Sequence, residues 1–160
     1  MQIRKIFVVV FFVVALCVAS YAGTSYKAKV EHKGGDVTPQ QSYAMLQADQ
    51  SHTFIVDVRT RFEYQDIGHP VGAYNIPWKT YTTNVGAQSY EKIINNNFVN
   101  DLKARFNPET DILLFICRSG KRSCFAATAA VEGGFKAEKV FNVMGGVEGD
   151  KIKDKSSPLY

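Results

Sequence analysis

Cys117 stands where a strand should meet a basic loop. An apolar, β-favouring run, Ile112-Leu113-Leu114-Phe115-Ile116, leads into it, and Arg118-Ser119-Gly120-Lys121-Arg122-Ser123 follows, ahead of an alanine-rich helical stretch. Backbone N–H groups of such a loop can curl into an anion-binding nest, and the opening turn of the helix adds positive potential. Arg118, Lys121 and Arg122 add three formal charges. Together these favour a sulfur anion over a neutral thiol, and a thiolate at a strand-to-helix turn is a candidate nucleophile. Cys124 reads differently. It lies inside the helical stretch beside Phe125 and Ala126, where a small buried apolar residue belongs.

The elements that must position this loop alternate. Thr38-Pro39-Gln40-Gln41 predicts a helix start, with Thr38 as N-cap and Gln41 closing a capping box, running to about Ala48. Thr53 to Val58 has few polar residues, as a buried parallel strand does. Arg59 to Gln65 is a short helix or turn, and Ala73 to Ile76 a second strand ended by Pro77. Trp78 to Gln88 reads as a surface excursion. Ser89 then caps an expected helix from Tyr90 to about Arg105, with Ile93, Ile94, Phe98 and Leu102 on one face. After the strand into Cys117, a helix over 122–132 ends at Gly133-Gly134, and Val140 to Val143 is a last strand before Gly145-Gly146. Strands alternating with helices imply an α/β fold with a mostly parallel central sheet flanked by helices. Sites in such sheets lie at the carboxyl ends of strands, where both Cys117 and Arg59 fall.

Four motifs recur in one order: Asp57-Val58-Arg59 with Glu63 close behind, Gly68-His69-Pro70 through Pro77, Cys117 through Ser123, and Val143-Met144-Gly145-Gly146-Val147. This series resembles the rhodanese family of sulfurtransferases, over roughly Asp36 to Glu148. The resemblance implies a single rhodanese-like domain that carries a persulfide on Cys117 and uses no metal or organic cofactor. By the same resemblance, Arg118, Ser119, Gly120, Lys121 and Arg122 bind the substrate anion, with Asp57, Arg59 and Ser123 in support. Asp57 and Arg59 are expected to form a structural ion pair or to orient backbone near the loop, Glu63 to be a structural partner, and His69 a hydrogen-bonded turn residue. His32 and His52 are expected to be exposed. Three departures stand out. Glu148, Gly149 and Asp150 occupy the place of a common Trp, Cys124 replaces a small residue, and the segment Trp78–Thr110 is longer than in compact relatives. That segment either covers the site and selects the acceptor or pads the surface.

The implied reaction moves sulfane sulfur from an anionic donor such as thiosulfate to cyanide or to a thiol of a small molecule or protein. Cys-based phosphatases and arsenate reductases set five residues between Cys and Arg. Here four separate Cys117 from Arg122, and Ser123 holds the phosphatase Arg position. The smaller loop suits one sulfur atom better than a phosphate. The alternative from another class is a non-catalytic rhodanese-like binding or redox-sensing module in the cell envelope, the latter through Cys117 and Cys124.

The first residues carry a different message. Arg4 and Lys5 precede thirteen apolar residues, Ile6 to Val18, and Ser20 and Ala22 give a small-residue cleavage pattern before Gly23. This is a signal-peptide pattern, and the apolar run is short for a membrane span. The expected organisation is a signal peptide over 1–22, a flexible lead-in over 23–35, the rhodanese-like domain over 36–149 and a loose tail over 150–160. Export, to the periplasm, and no stable membrane span after cleavage follow from it. Without Arg4 and Lys5 the chain keeps 17 basic and 15 acidic residues, a net of +2. No basic block suggests nucleic acid as a partner, and no Cys/His cluster has zinc spacing.

Overall fold

Short β-branched and apolar runs pair here into one twisted parallel sheet, and polar, threonine-rich ones into a separate hairpin. The computed structural model describes residues 26–84 and 89–149. The expected signal peptide (1–22) and C-terminal tail (150–160) lie outside the described residues, and no helix among those described is long and apolar enough to cross a membrane. The strands are β1 Gly35–Val37, β2 Thr53–Asp57, β3 Tyr74–Asn75, β4 Lys79–Asn84, β5 Ser89–Ile94, β6 Ile112–Ile116 and β7 Val140–Val143. The helices are α1 Pro39–Ala48, α2 Arg61–Asp66, α3 Phe98–Lys103 and α4 Lys121–Glu132.

The main sheet has the order β1-β7-β6-β2-β3 with every pair parallel. Side chains alternate across β6. Leu113 and Phe115 face α3 and α4, packing with Phe98, Leu102, Phe106 and the small face Ala126, Ala127 and Ala130. Leu114 and Ile116 face the other way, with Val37, Val143 and Met45 of α1. Phe98, Leu102, Leu113 and Phe115 are at most 1% exposed, and each such side chain contributes about 1.5–3 kcal/mol of transfer free energy. The capping box of α1 is present, with Thr38 Oγ1 accepting from Gln41 N at 3.2 Å and Gln41 Oε1 from Thr38 N at 2.8 Å.

The register decides where the site lies. Asp57 pairs with Ile116, so β2 and β6 end at the same level, and Val58 N donates to Ile116 O at 2.9 Å beyond the last pair. The chain of 26–34, expected as a lead-in, runs along α4: Lys33 N donates to Thr128 Oγ1 at 3.3 Å and Lys33 Nζ meets Glu132 at 2.8 Å.

One expected element is corrected. The helix from Tyr90 to Arg105 is instead strand β5, a break at Asn95-Asn96-Asn97, and α3 alone. β5 pairs antiparallel with β4, from Lys79 opposite Ile94 to Asn84 opposite Ser89. Tyr90, Ile93 and Ile94 are strand formers, opposite a run of Thr and Tyr that favours the same state. Asn95 closes the hairpin base, its N donating to Trp78 O at 3.0 Å and its Nδ2 to Pro77 O at 3.1 Å. Only Phe98 and Leu102 of the expected helical face are buried; Ile93 and Ile94 are about half exposed.

Candidate active site

Cys117 directly follows β6 and is 1% exposed. Gly120 N donates to its Sγ at 3.2 Å, and Ser123 Oγ lies 3.4 Å from the same sulfur. The first contact needs the chain to fold back within three residues. Gly120 permits this with φ of 90°, a left-handed conformation that a side chain would strain, while it also caps α4.

The paired glycines after β7 hold the loop from behind. Val147 N donates to Cys117 O at 2.8 Å and Glu148 N to Arg118 O at 2.9 Å. Gly146 has φ of 61°, and a Cβ there would strike the carbonyls of Cys117 and Arg118. The backbone touches the loop directly, so a side chain has no room.

Ser123 belongs to a polar chain reaching across the sheet. Its Oγ donates to Asn142 Oδ1 at 2.6 Å, Asn142 Nδ2 donates to Asp36 Oδ1 at 2.8 Å, and His32 Nε2 lies 3.0 Å from the same carboxylate oxygen. A carboxylate only accepts, which fixes the amide with its oxygen towards Ser123. Ser123 has one proton. Placed on Asn142, it leaves a lone pair for a Cys117 thiol; rotated, it serves a sulfur anion. The side chain of His32 is 3% exposed against Asp36, a correction to its expected exposure. It is covered because the 26–34 segment lies down on the domain. His52 is exposed as expected, 3.3 Å from Asp49.

The cations divide into held and unheld. Arg122 donates twice to Glu63, Nη1 to Oε2 at 2.7 Å and Nη2 to Oε1 at 2.6 Å. Burial works to raise the Glu63 pKa, but hydrogen bonds from Arg122 and Thr60 outweigh it and hold the carboxyl at about 2. Arg122 is pushed up, first by those bonds to Glu63, with smaller contributions from Cys117 and Asp57. Arg118 is exposed, 3.6 Å from Glu148. Lys79, Lys92 and Lys121 have no ion-pair partner among the described residues. A cleft of about 320 Å³ is lined by Cys117, Arg118, Ser119, Lys121 and Arg122 from the loop and α4, Glu63 from α2, and Lys79 and Lys92 from the hairpin.

Asp57 and Arg59 stand one layer below. Arg59 Nε donates to both Asp57 oxygens at 3.0 Å and Nη2 donates to Oδ2 at 2.7 Å and to Gly68 O at 2.6 Å, with both residues fully buried. This is the expected structural pair, and it ties the end of β2 to the Gly68 turn. His69 stacks on Tyr64 at 3.6 Å and bonds the Tyr64 carbonyl at 2.8 Å, a turn residue as expected. Cys124 Sγ donates to Gly120 O at 3.0 Å, and burial pushes its thiol pKa up. Cys117 and Cys124 are free thiols. A larger groove, about 570 Å³ between α1, the start of β2 and the 70–74 turn, is lined by apolar and uncharged polar residues.

All nine expected site residues therefore gather around the carboxyl ends of β2 and β6. Sequence reasoning missed Asn142, Asp36, Lys79 and Lys92. Only Asn142, one residue before the Val143–Val147 motif, carried any local signal.

The model of the rhodanese-like domain family matches residues 38–153. The chain belongs to that family. This rhodanese-like domain is 31% identical to a protein of Rickettsia conorii over 116 residues, 72% of this chain and 85% of the relative. It is 35% identical to thiosulfate sulfurtransferase 18 of Arabidopsis thaliana over 112 residues, 69% and 73% of the two chains. Among solved structures it is similar to Rv0390 from M. tuberculosis, with a TM-score of 0.59, 30% identity and coverage of 77% and 86%. Sulfurtransferases thus stand among the relatives of this rhodanese-like domain.

Proposed function

We propose that the protein is a sulfurtransferase that carries sulfane sulfur on Cys117. The observation that carries this reading is the pair of donors, Gly120 N–H and Ser123 hydroxyl, around a sulfur at the floor of a basic cleft. In the first half-reaction the Cys117 thiolate attacks the outer sulfur of thiosulfate. The S–S bond of the donor breaks, sulfite leaves with its two negative charges, and Cys117–S–S⁻ remains. In the second, a thiophilic anion takes the outer sulfur: cyanide leaves as thiocyanate, or RS⁻ as RSS⁻, and the thiolate returns. Loop N–H groups stabilise the terminal sulfur anion as an oxyanion hole does, and Arg118 and Lys121 draw in the donor. Arg122 keeps the loop in place through Glu63. A similar relative named as a thiosulfate sulfurtransferase supports this donor class. The N-terminal pattern over residues 1–22 supports action after export, in the periplasm.

The test is steady-state thiocyanate formation from thiosulfate and cyanide. The expected result is parallel lines in double-reciprocal plots, the signature of ping-pong transfer, with activity abolished by Cys117→Ser. Full activity in Cys117→Ser would overturn the reading. Inactivity of the wild type with every sulfane donor, together with reversible Cys117–Cys124 oxidation, would favour the redox-sensing alternative.

A further inference from the structure

The hairpin β4–β5 lies within the long Trp78–Thr110 segment and takes no part in the proposed sulfur transfer. Each strand delivers one lysine to the Cys117 cleft, Lys79 from β4 and Lys92 from β5. Lys92 Nζ lies over the Tyr81 ring, 5.3 Å from its centroid, which steadies the chain without neutralising it. Lys79, Lys92 and Lys121 lack ion-pair partners among the described residues, so the two sides of the cleft carry uncompensated positive charge.

Size and lining limit the guest. A water takes up about 30 Å³ of liquid, so a cleft of about 320 Å³ holds far more than an inorganic donor of five heavy atoms. Cys117 apart, every lining side chain is polar or charged. There is no aromatic surface for a base to stack on; Trp78 packs edge-on against Phe98 at 5.2 Å instead. No apolar wall suits an acyl chain.

We infer that Lys79 and Lys92 form an anion subsite that selects, as sulfur acceptor, a small thiol carrying two carboxylates. The inference rests on the proposed sulfur transfer at Cys117. The thiolate faces the persulfide, and the carboxylates reach the hairpin lysines. The acceptor's sulfur forms a bond to the outer sulfur, the Cys117–S bond breaks, and the electron pair returns to Cys117 as thiolate, giving RSS⁻. No oxidant or reductant is consumed.

The test loads the protein with sulfur from thiosulfate or polysulfide, then times single-turnover discharge by mercaptosuccinate, 2-mercaptoethanol and cysteamine. Each rate is read as the ratio of wild type to Lys79→Gln/Lys92→Gln, so that the intrinsic reactivity of each thiol cancels. The expected ratio is tenfold or more for mercaptosuccinate, under twofold for 2-mercaptoethanol, and at or below one for cysteamine. The mercaptosuccinate ratio falls towards one when the Debye length is cut from about 30 Å to about 3 Å by salt. Equal ratios for all three thiols would overturn the subsite. Failure of sulfur loading is a different outcome and counts against the sulfur-transfer reading. In that case calorimetric binding of mercaptosuccinate to Cys117→Ser still decides the subsite: at least fivefold weaker binding with the two lysines replaced supports it, and unchanged binding overturns it.

Discussion

The Cys117 loop and the β4–β5 hairpin face each other across one cleft but are built on opposite principles. The loop is anchored at every turn: by Gly120 and Ser123 in front, by the Gly145-Gly146 turn behind, and by Arg122 on Glu63 at its side. The hairpin hydrogen-bonds at its base, through Trp78 and Asn95, and leaves Tyr81, Ile93 and Ile94 substantially exposed. The proposed sulfur transfer, which depends on sub-ångström placement, would use the anchored side, and the inferred selection of a guest, which tolerates looser placement, the exposed side.

The comparison breaks most sharply at Gly146. Gly146→Ala puts a methyl group at positive φ against two loop carbonyls, and the expected loss is about 2–4 kcal/mol with near-complete loss of sulfur transfer. Urea unfolding and thiocyanate assay read both; a change under 0.5 kcal/mol with normal activity would mean the loop is not held from behind.

Ser123→Ala comes next. It removes a hydroxyl that serves sulfur in either protonation state and leaves Asn142 Oδ1 buried without its donor. The expected cost is about 1–3 kcal/mol in stability and about tenfold in the rate of sulfur loading. Ser123→Thr, which keeps the hydroxyl, should recover much of the rate; recovery of rate by Ala as well would discount the hydroxyl.

Glu63 sets the acid limit. Its folded pKa, about 2, lies below the ordinary 4.5, so its contribution is full above pH 4.5 and disappears as pH falls towards 2. After allowing for partial exposure the pair contributes about 1–2 kcal/mol at pH 7. Melting temperatures should therefore drop between pH 4.5 and 2 in the wild type and drop less in Glu63→Gln. Parallel pH profiles for the two proteins would contradict this.

On the hairpin, Ile93→Thr should change stability by under about 0.5 kcal/mol, because a half-exposed strand residue remains a good strand former. A loss near that of Ser123→Ala would show that the hairpin is as tightly built in as the loop.

The same contrast explains what the sequence made legible. Cys117, the loop and the glycine turn are local motifs whose residue types state their conformations, and α1 announces itself by its capping box. Strand β5 reads as the start of a helix because Ile93 and Ile94 fit one helical face with Phe98 and Leu102, and β4 reads only as a surface excursion. The Asn95–Asn97 break and the facing threonines decide otherwise, and pairing with β4 is not a local property. Glu63 meets Arg122 across 59 positions and Asn142 meets Asp36 across 106. Such partners emerge only once the sheet order brings them together. The cover over His32 is likewise tertiary, since nothing in its own neighbourhood is apolar enough to foretell it.

The most direct measurement is the intact mass of the reduced protein from Gly23 onward, taken after incubation with a sulfane donor and again after cyanide, with Cys117→Ser in parallel. The account predicts a gain of one sulfur atom, its removal by cyanide with thiocyanate formed in equal amount, and no gain in the variant. Folded, reduced wild-type protein that never gains sulfur, or a Cys117→Ser protein that gains it equally, would contradict a sulfur carrier at Cys117.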